Sequence, residues 1–289
     1  MSDLNLPVIS TKNLSYTYSN GTVALKKVNL NIMKGELIGI MGKNGAGKST
    51  LIRTFNGLIK PTQGDIYING DNTRTKTVAE LSKRVGIIFQ NPAHQVFSNT
   101  VEEEISFSLK SLDISKEALT QRKEEILKNF DLEKYKDRSP LNLSGGETKK
   151  LAVASVFCRD PEILVFDEPT LGQDLNEINF FVNLIKREKE KGKTIVIITH
   201  NIEFALEYIP RIILMTDGKI VADGPTNKIL TNEFLIKLTS LVLPQLFQFY
   251  AALKTINIKA SERIRSKEEM KDLITTYIER ASKKRQGGS

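Results

Sequence analysis

One cysteine and two histidines are the whole supply of thiol and imidazole ligands in this sequence. Cys158 therefore has no partner for an internal disulfide, and with His94 and His200 it falls short of a Cys/His zinc cluster. It lies in the apolar run Leu151 to Cys158, where a thiol reads as a small core side chain, in keeping with a reducing compartment. Long apolar runs are missing too. The longest uncharged stretch, Leu238 to Leu253, has 16 residues and contains Pro244, Gln245 and Gln248, whereas crossing a bilayer takes about 20. The opening residues MSDLNLPVIS have neither the basic start nor the apolar centre of a secretory signal. These absences lead to the expectation of a chain that stays in the cytoplasm and has no membrane-spanning helix. No long coiled-coil pattern, internal repeat or basic run with interleaved aromatics is present either, which counts against solenoid folds and single-strand nucleic-acid grooves.

What is there is the composition of a folding globular chain. It has 289 residues, 40% hydrophobic and 26% charged, a size that suits one large domain or two unequal ones. A formal net charge of +8 is compatible with nucleic acid, an anionic membrane surface or a phosphate-rich ligand, and does not choose among them. The densest basic cluster, Lys283-Lys284-Arg285, precedes a terminal Gly-Gly-Ser and reads as a solvated tail.

Alternating Val28, Leu30 and Ile32, followed by the apolar run Glu36 to Gly42, predict two strands that begin a central sheet, the second buried on both faces. Ile66 and Ile68 before Asn69-Gly70 predict a hairpin, and Val85 to Gln90 another strand. From about 98 to 160 the spacing is helical, with Val101, Ile105 and Leu109 on one stripe and Leu119, Ile126, Leu127 and Phe130 on a second. Ile163 to Pro169 and Thr194 to His200 flank a predicted helix, Asn176 to Glu190, in the manner of a βαβ unit with a parallel sheet. A further hairpin turns at Asp217-Gly218. After Pro225 the composition shifts, and apolar steps at Leu238, Leu241, Leu246, Phe249, Tyr250 and Leu253 predict a small helical region from about 230 to 289, broken at Pro244.

Three elements carry chemistry. Gly42, Gly47, Lys48 and Ser49 satisfy G-x-x-x-x-G-K-[ST], with Lys43, Asn44, Gly45 and Ala46 inside the turn and Thr50 after it, between a predicted strand and a helix. Glycines let the backbone wrap a triphosphate so that amides and a helix start face its oxygens. Lys48 would neutralise phosphate charge and Ser49 would ligate Mg²⁺. Asp167 and Glu168 end an apolar strand side by side. Successive strand residues point to opposite faces, so the two share a site only if the strand stops there. One carboxylate for the metal and one for the attacking water is the economical division. Ser144, Gly145, Gly146 and Glu147 precede a helical run from about Glu147 to Phe157, a second helix start able to cradle an anion.

Taken together, GKNGAGKST, FQNP, LSGGE, ILVFDEP and the final TH of IITH resemble the ATP-hydrolysing subunits of ATP-binding cassette (ABC) transporters, over about residues 8 to 228. The resemblance implies an α/β fold: a P-loop NTPase core with a parallel sheet, an antiparallel β subdomain, a helical subdomain inserted at about 98–160 and a small C-terminal helical region. The cassette itself would occupy 1–229 and a dimerisation region 230–289. It implies ATP and Mg²⁺ as ligands. By position, Tyr18 corresponds to the aromatic residue that stacks on adenine, with Tyr16 as a substitute, and Gln90 to the glutamine that contacts Mg²⁺ and water. Asp167 corresponds to the magnesium acid, Glu168 to the catalytic base and His200 to the histidine on the γ-phosphate. Ser144 to Glu147 would serve the ATP of another chain in a head-to-tail dimer, with Asp174 in the loop crossing the interface. Glu147 stands in place of a usual Gln, Lys150 in place of Arg, and Leu171-Gly172-Gln173-Asp174-Leu175 varies the customary interface loop. An extra negative charge at 147 would weaken one composite site relative to its partner.

Within that family, residues 89 to 107 resemble the segment found in energy-coupling factor and cobalt-type importers, with Ala93 where Asp is common. The implied partners are a second ATPase subunit, identical or a sister chain, a transmembrane scaffold protein docked on 89–107 and the inserted helices, and a separate substrate-binding membrane protein. The implied place is the cytoplasmic face of the cell membrane and the implied cargo a vitamin or a transition-metal ion, with no nucleic acid. Two other functions fit the same cassette: a soluble ABC ATPase acting on nucleic acid or ribosomes, and the ATPase of a conventional importer that uses a periplasmic binding protein.

Overall fold

The computed structural model describes residues 6–91, 95–110, 112, 114–172, 174–241, 271, 272 and 274–277. In chain order these form β1 (Pro7–Thr17), β2 (Val23–Met33), β3 (Leu37–Met41), α1 (Lys48–Phe55), β4 (Gln63–Ile68), β5 (Asp71–Asn72), α2 (Val78–Ser82), β6 (Val85–Ile88), α3 (Val101–Leu109) and α4 (Lys116–Asn129). There follow α5 (Gly145–Phe157), β7 (Ile163–Asp167), α6 (Leu175–Glu190), β8 (Thr194–Ile198), α7 (Ile202–Tyr208), β9 (Arg211–Thr216), β10 (Lys219–Pro225), α8 (Thr226–Ile229) and α9 (Glu233–Leu238).

Strands β9, β3, β8, β7 and β6 lie side by side and parallel, with β10 antiparallel on the β9 edge. Their apolar runs are continuous because both faces are covered. On β3, Leu37 and Met41 join the core beneath the helices α3 to α9, whereas Ile38 and Ile40 join the core beneath α1 and the second sheet. Strands β7 and β8 divide the same way, Leu164, Phe166, Ile195 and Ile197 to one side and Ile163, Val165, Val196 and Ile198 to the other.

The second sheet is antiparallel, in the order β2-β1-β4-β5. Strand β2 therefore belongs here and not to the central sheet that Val28, Leu30 and Ile32 were expected to begin. Strand β1 has no counterpart among the expected elements. It carries Ser10, Thr11, Lys12, Asn13 and Ser15, Asn13 is left-handed at φ 49°, and register shifts interrupt its pairing with β2. A strand bent that way shows no clean period of two. Both expected hairpins are present, turning through Asn69-Gly70 and Asp217-Gly218 with positive φ at all four residues.

Helices α3, α4 and α5 pack through Val101, Ile105, Leu109, Ile126, Leu127, Phe130 and Leu151 into one core, as the two stripes predict. Of the expected helical region 230–289, α9 and the helical residues 271, 272 and 274–277 are described. The expectations for Pro244, Leu246, Phe249, Tyr250, Leu253 and the 283–285 cluster, like those for Ala93 and His94, lie outside the described residues. Among the described residues no helix is long and apolar enough to cross a membrane.

Candidate active site

Parallel pairing sets Ile40 and Asp167 on either side of Ile198, so β3, β8 and β7 end together at one edge of the sheet. Clefts at the carboxyl ends of such strands are where open α/β sheets bind ligands. Three turns converge there: residues 42–47 after β3, Glu168 after β7 and His200 after β8.

The glycine turn is possible only with glycine at its two ends. Gly42 has φ 145°, and a Cβ there would stand 2.1 Å from the Met215 carbonyl oxygen; Gly47 has φ 98°, and its Cβ would meet the Ala24 oxygen at 2.5 Å. Ala46 donates back to the Lys43 carbonyl at 3.1 Å, and the Lys43 amine pairs with Asp217 at 3.0 Å, tying the turn to the β9–β10 hairpin. The Lys48 amine, buried, donates to the carbonyls of Gly42 (2.7 Å) and Lys43 (3.0 Å). Burial lowers its pKa, and the opposing attraction of Glu168 and Asp167 shows both carboxylates within electrostatic reach of it.

Asp167 is the last residue of β7 and is buried. Burial raises its pKa, Ser49 counters by a side-chain hydrogen bond, Glu168 adds to the rise, and Arg53 and Lys48 oppose it. A desolvated carboxylate joined to a hydroxyl is a hard oxygen pair whose charge a divalent cation would relieve, so Asp167 and Ser49 suit Mg²⁺. Glu168 departs from the strand with φ 52° while its N–H donates to the Ile198 carbonyl at 2.9 Å. This left-handed step is how two adjacent carboxylates both come within electrostatic reach of Lys48. Glu168 Oε2 and His200 Nδ1 share a hydrogen bond at 2.9 Å, and the same oxygen accepts from the His200 backbone N–H at 3.4 Å.

Gln90 lies two residues beyond the end of β6, which pairs Ile88 with Phe166 of β7, and is exposed at the same edge. Tyr18 and Thr50 share a hydrogen bond between hydroxyls at 2.9 Å, fixing Tyr18 over the start of α1 with Tyr16 edge-on at 4.9 Å. At the other helix start, α5 begins at Gly145, two residues earlier than expected, with Ser144 as its cap. The Ser144 hydroxyl accepts from the Glu147 N–H at 3.3 Å and Glu147 Oε2 accepts from the Ser144 N–H at 2.8 Å. A Tyr135 hydrogen bond, then those of Ser144, bring the Glu147 pKa down to about 2. Asp174 caps α6 by accepting from Glu177 N–H at 2.8 Å.

Two residues at this edge, Arg53 and Lys149, were not singled out from the sequence, and a third, Gln95, only as part of the 89–107 segment. Gln95 accepts from the Phe89 N–H and donates to the Ile87 carbonyl, both at 3.1 Å, sealing the end of β6 below Gln90. Arg53 lies over the Phe89 ring at 5.6 Å, and Lys149 donates to the Pro169 carbonyl at 2.8 Å. The partners of Arg53 and Lys149 are remote in sequence, whereas those of Gln95 lie six and eight residues before it.

Comparison with known proteins decides the family. The family model described as "ABC transporter" matches residues 25–171. The chain belongs to the ABC transporter ATP-binding family. It is 37% identical over 240 residues to the energy-coupling factor transporter ATP-binding protein EcfA of Methanocaldococcus jannaschii, covering 82% of this chain and 86% of that one. Among solved structures it resembles cbiO1 of Clostridium perfringens, described as part of the ABC transporter complex cbiONQ (TM-score 0.71, 33% identity, 85% of this chain and 99% of that one). It also resembles the cassette MJ0796, solved as a post-hydrolysis dimer bound to ADP and Pi (TM-score 0.68, 33% identity, 75% of this chain and 98% of that one). Against three longer relatives it spans only 40%, 37% and 41% of their length. This ABC ATPase thus has the α/β P-loop core, antiparallel sheet and inserted helices expected from its motifs.

Proposed function

We propose that this ABC ATPase hydrolyses MgATP as half of a head-to-tail dimer on the cytoplasmic face of a membrane and powers an energy-coupling factor type importer of a vitamin or transition-metal ion. What supports this most is the meeting of Lys48, Asp167, Glu168 and His200 at one sheet edge. The amides of Gly42 to Thr50 and the Lys48 amine would hold the triphosphate, and Tyr18, backed by Tyr16, would stack on adenine. Ser49, Asp167 and Gln90 would hold Mg²⁺, which supplies positive charge to the phosphate oxygens. Glu168 would take the proton of the attacking water, aimed by its bond to His200 Nδ1, and His200 would bond the γ-phosphate through Nε2 only with a proton on that nitrogen as well.

The cassette, 1–229, would meet a second ATPase subunit, the same chain or a sister, through Ser144 to Glu147 and the Asp174 loop. Leu171 and Leu175 flank that loop and are 47% and 78% exposed, apolar surface of the kind an interface covers. Residues 230–289 would help pair the subunits. On 89–107, Phe97 and Phe107 stack edge to face at 4.8 Å while 67% and 50% exposed, a suitable seat for the scaffold protein that also holds a substrate-binding membrane protein. Relatives named EcfA and cbiO1 favour this subtype over a nucleic-acid-directed ATPase or a conventional importer.

Changing Glu168 to Gln in the complex purified from membranes should remove nearly all ATPase activity traceable to this chain, at least about 100-fold, while MgATP binding persists. Unimpaired turnover would refute the assignment, and the chains that co-purify identify the transporter type.

A further inference from the structure

The bond from Lys149 to the Pro169 carbonyl has a position that the nucleotide chemistry above does not use. Pro169 immediately follows Glu168, whose left-handed backbone must be held in place from outside. Two backbone bonds help: Glu168 N–H to the Ile198 carbonyl at 2.9 Å, and Leu171 N–H to the Glu168 carbonyl at 3.2 Å. The third brace is the Lys149 amine, 2.8 Å from the Pro169 oxygen, and it comes from a different element, α5. The amine is drawn out of water: burial lowers its pKa, with only Glu177 favouring its charge. One turn earlier on α5, Gly146 lies against Glu177, since a Cβ there would stand 2.8 Å from Glu177 Oε1. Glu177 is in turn bonded to Asp174, closing the path from Gly146 to the interface loop.

Helix α5 therefore carries, within five residues, Gly145 and Gly146 at its start and the side chain that holds the turn beside Glu168. From this placement we infer that Lys149 is a positioning residue for hydrolysis: it keeps the Glu168 carboxylate aimed and ties that aim to the seating of α5 against the nucleotide of the second subunit. The inference rests on the function proposed above. An ammonium donating to a carbonyl is charge-assisted, and the interaction survives exchange for guanidinium but not for a neutral chain of similar length that cannot donate. A misplaced base lowers turnover without touching the groups that bind ATP.

The test uses the full-length chain in its membrane-derived complex, with the Glu168→Gln complex as the floor. Wild-type activity above that floor is the Glu168-dependent rate. Lys149→Met should cut this rate roughly 10- to 100-fold with KM for MgATP changed less than about twofold, and Lys149→Arg should restore most of it. Lys149→Gln, which keeps a donor and polarity at this half-buried site, guards against a folding failure and should fall between the two. Equal rates in wild type and Lys149→Met, a loss borne by KM, or Arg and Met variants equally impaired would each overturn the positioning role. A wild-type complex with no activity above the Glu168→Gln floor would instead overturn the proposed function itself.

Discussion

Asp167 and Glu168 are neighbours in sequence, yet their surroundings differ sharply. Asp167 is buried in the last position of β7 and its pKa is raised by desolvation, whereas Glu168 has turned out of the strand and shares a proton-bearing contact with His200. The sign of the Asp167 effect on stability follows. Its folded-state pKa lies above the unfolded one, so over the intervening pH range the folded protein holds a proton that the unfolded chain has released, and stability falls as pH rises through that window. Above both values the buried charge remains a standing penalty. Asp167→Asn should therefore raise the nucleotide-free melting midpoint at pH 7, a gain of roughly 0.5–2 kcal/mol, and flatten the fall in stability above the ordinary aspartate range. The same variant should lose the extra stabilisation that Mg²⁺ adds to ATP. Calorimetry across pH, with and without MgATP, checks both halves.

At the scale of elements, α5 and α6 begin with the same device: a cap whose side chain and a glutamate three residues on satisfy each other's backbone N–H, Ser144 with Glu147 and Asp174 with Glu177. In α5 this places an ionised carboxylate at a helix start otherwise suited to anions. A glutamine keeps the reciprocal bonds and removes the charge. Glu147→Gln should accordingly lower the melting midpoint modestly at neutral pH, because the Tyr135 and Ser144 bonds favour the ionised carboxylate, while tightening ATP-dependent pairing severalfold, and the gain in pairing should shrink in high salt. Light scattering in the Glu168→Gln background, at two salt concentrations, reads the difference. Unchanged pairing at both would remove Glu147 from the composite site.

For the whole molecule, the six-stranded sheet is covered on both faces, and the proposed dimer would cover apolar surface left at the ends of its loops. Leu171 and Leu175 bracket Asp174 in this way. Leu175 is the first residue of α6, where an acid is favoured by the helix dipole, so Leu175→Asp should fold normally. In the Glu168→Gln background with MgATP it should weaken dimer formation by about tenfold or more, seen as a return to the monomer in size-exclusion chromatography. A dimer of undiminished affinity would place the interface elsewhere.

Gly42 to Thr50 and the strands around them were legible in the sequence because their determinants are local: a turn only glycine can make, apolar runs whose two faces are both buried, a helix start. Asp167, Glu168 and Ser144 were placed by the elements they end or open, whereas His200 was singled out only by resemblance to the ABC family. What the sequence left undecided was remote pairing. Strand β1 went unread because its bulges spoil the alternation, and β2 was assigned to the wrong sheet because hydrophobic period fixes which face is buried but not which strand lies alongside. The left-handed step at Glu168 and the Lys149 brace depend on carbonyls delivered by chain that is distant in sequence, and only packing in three dimensions brings those together.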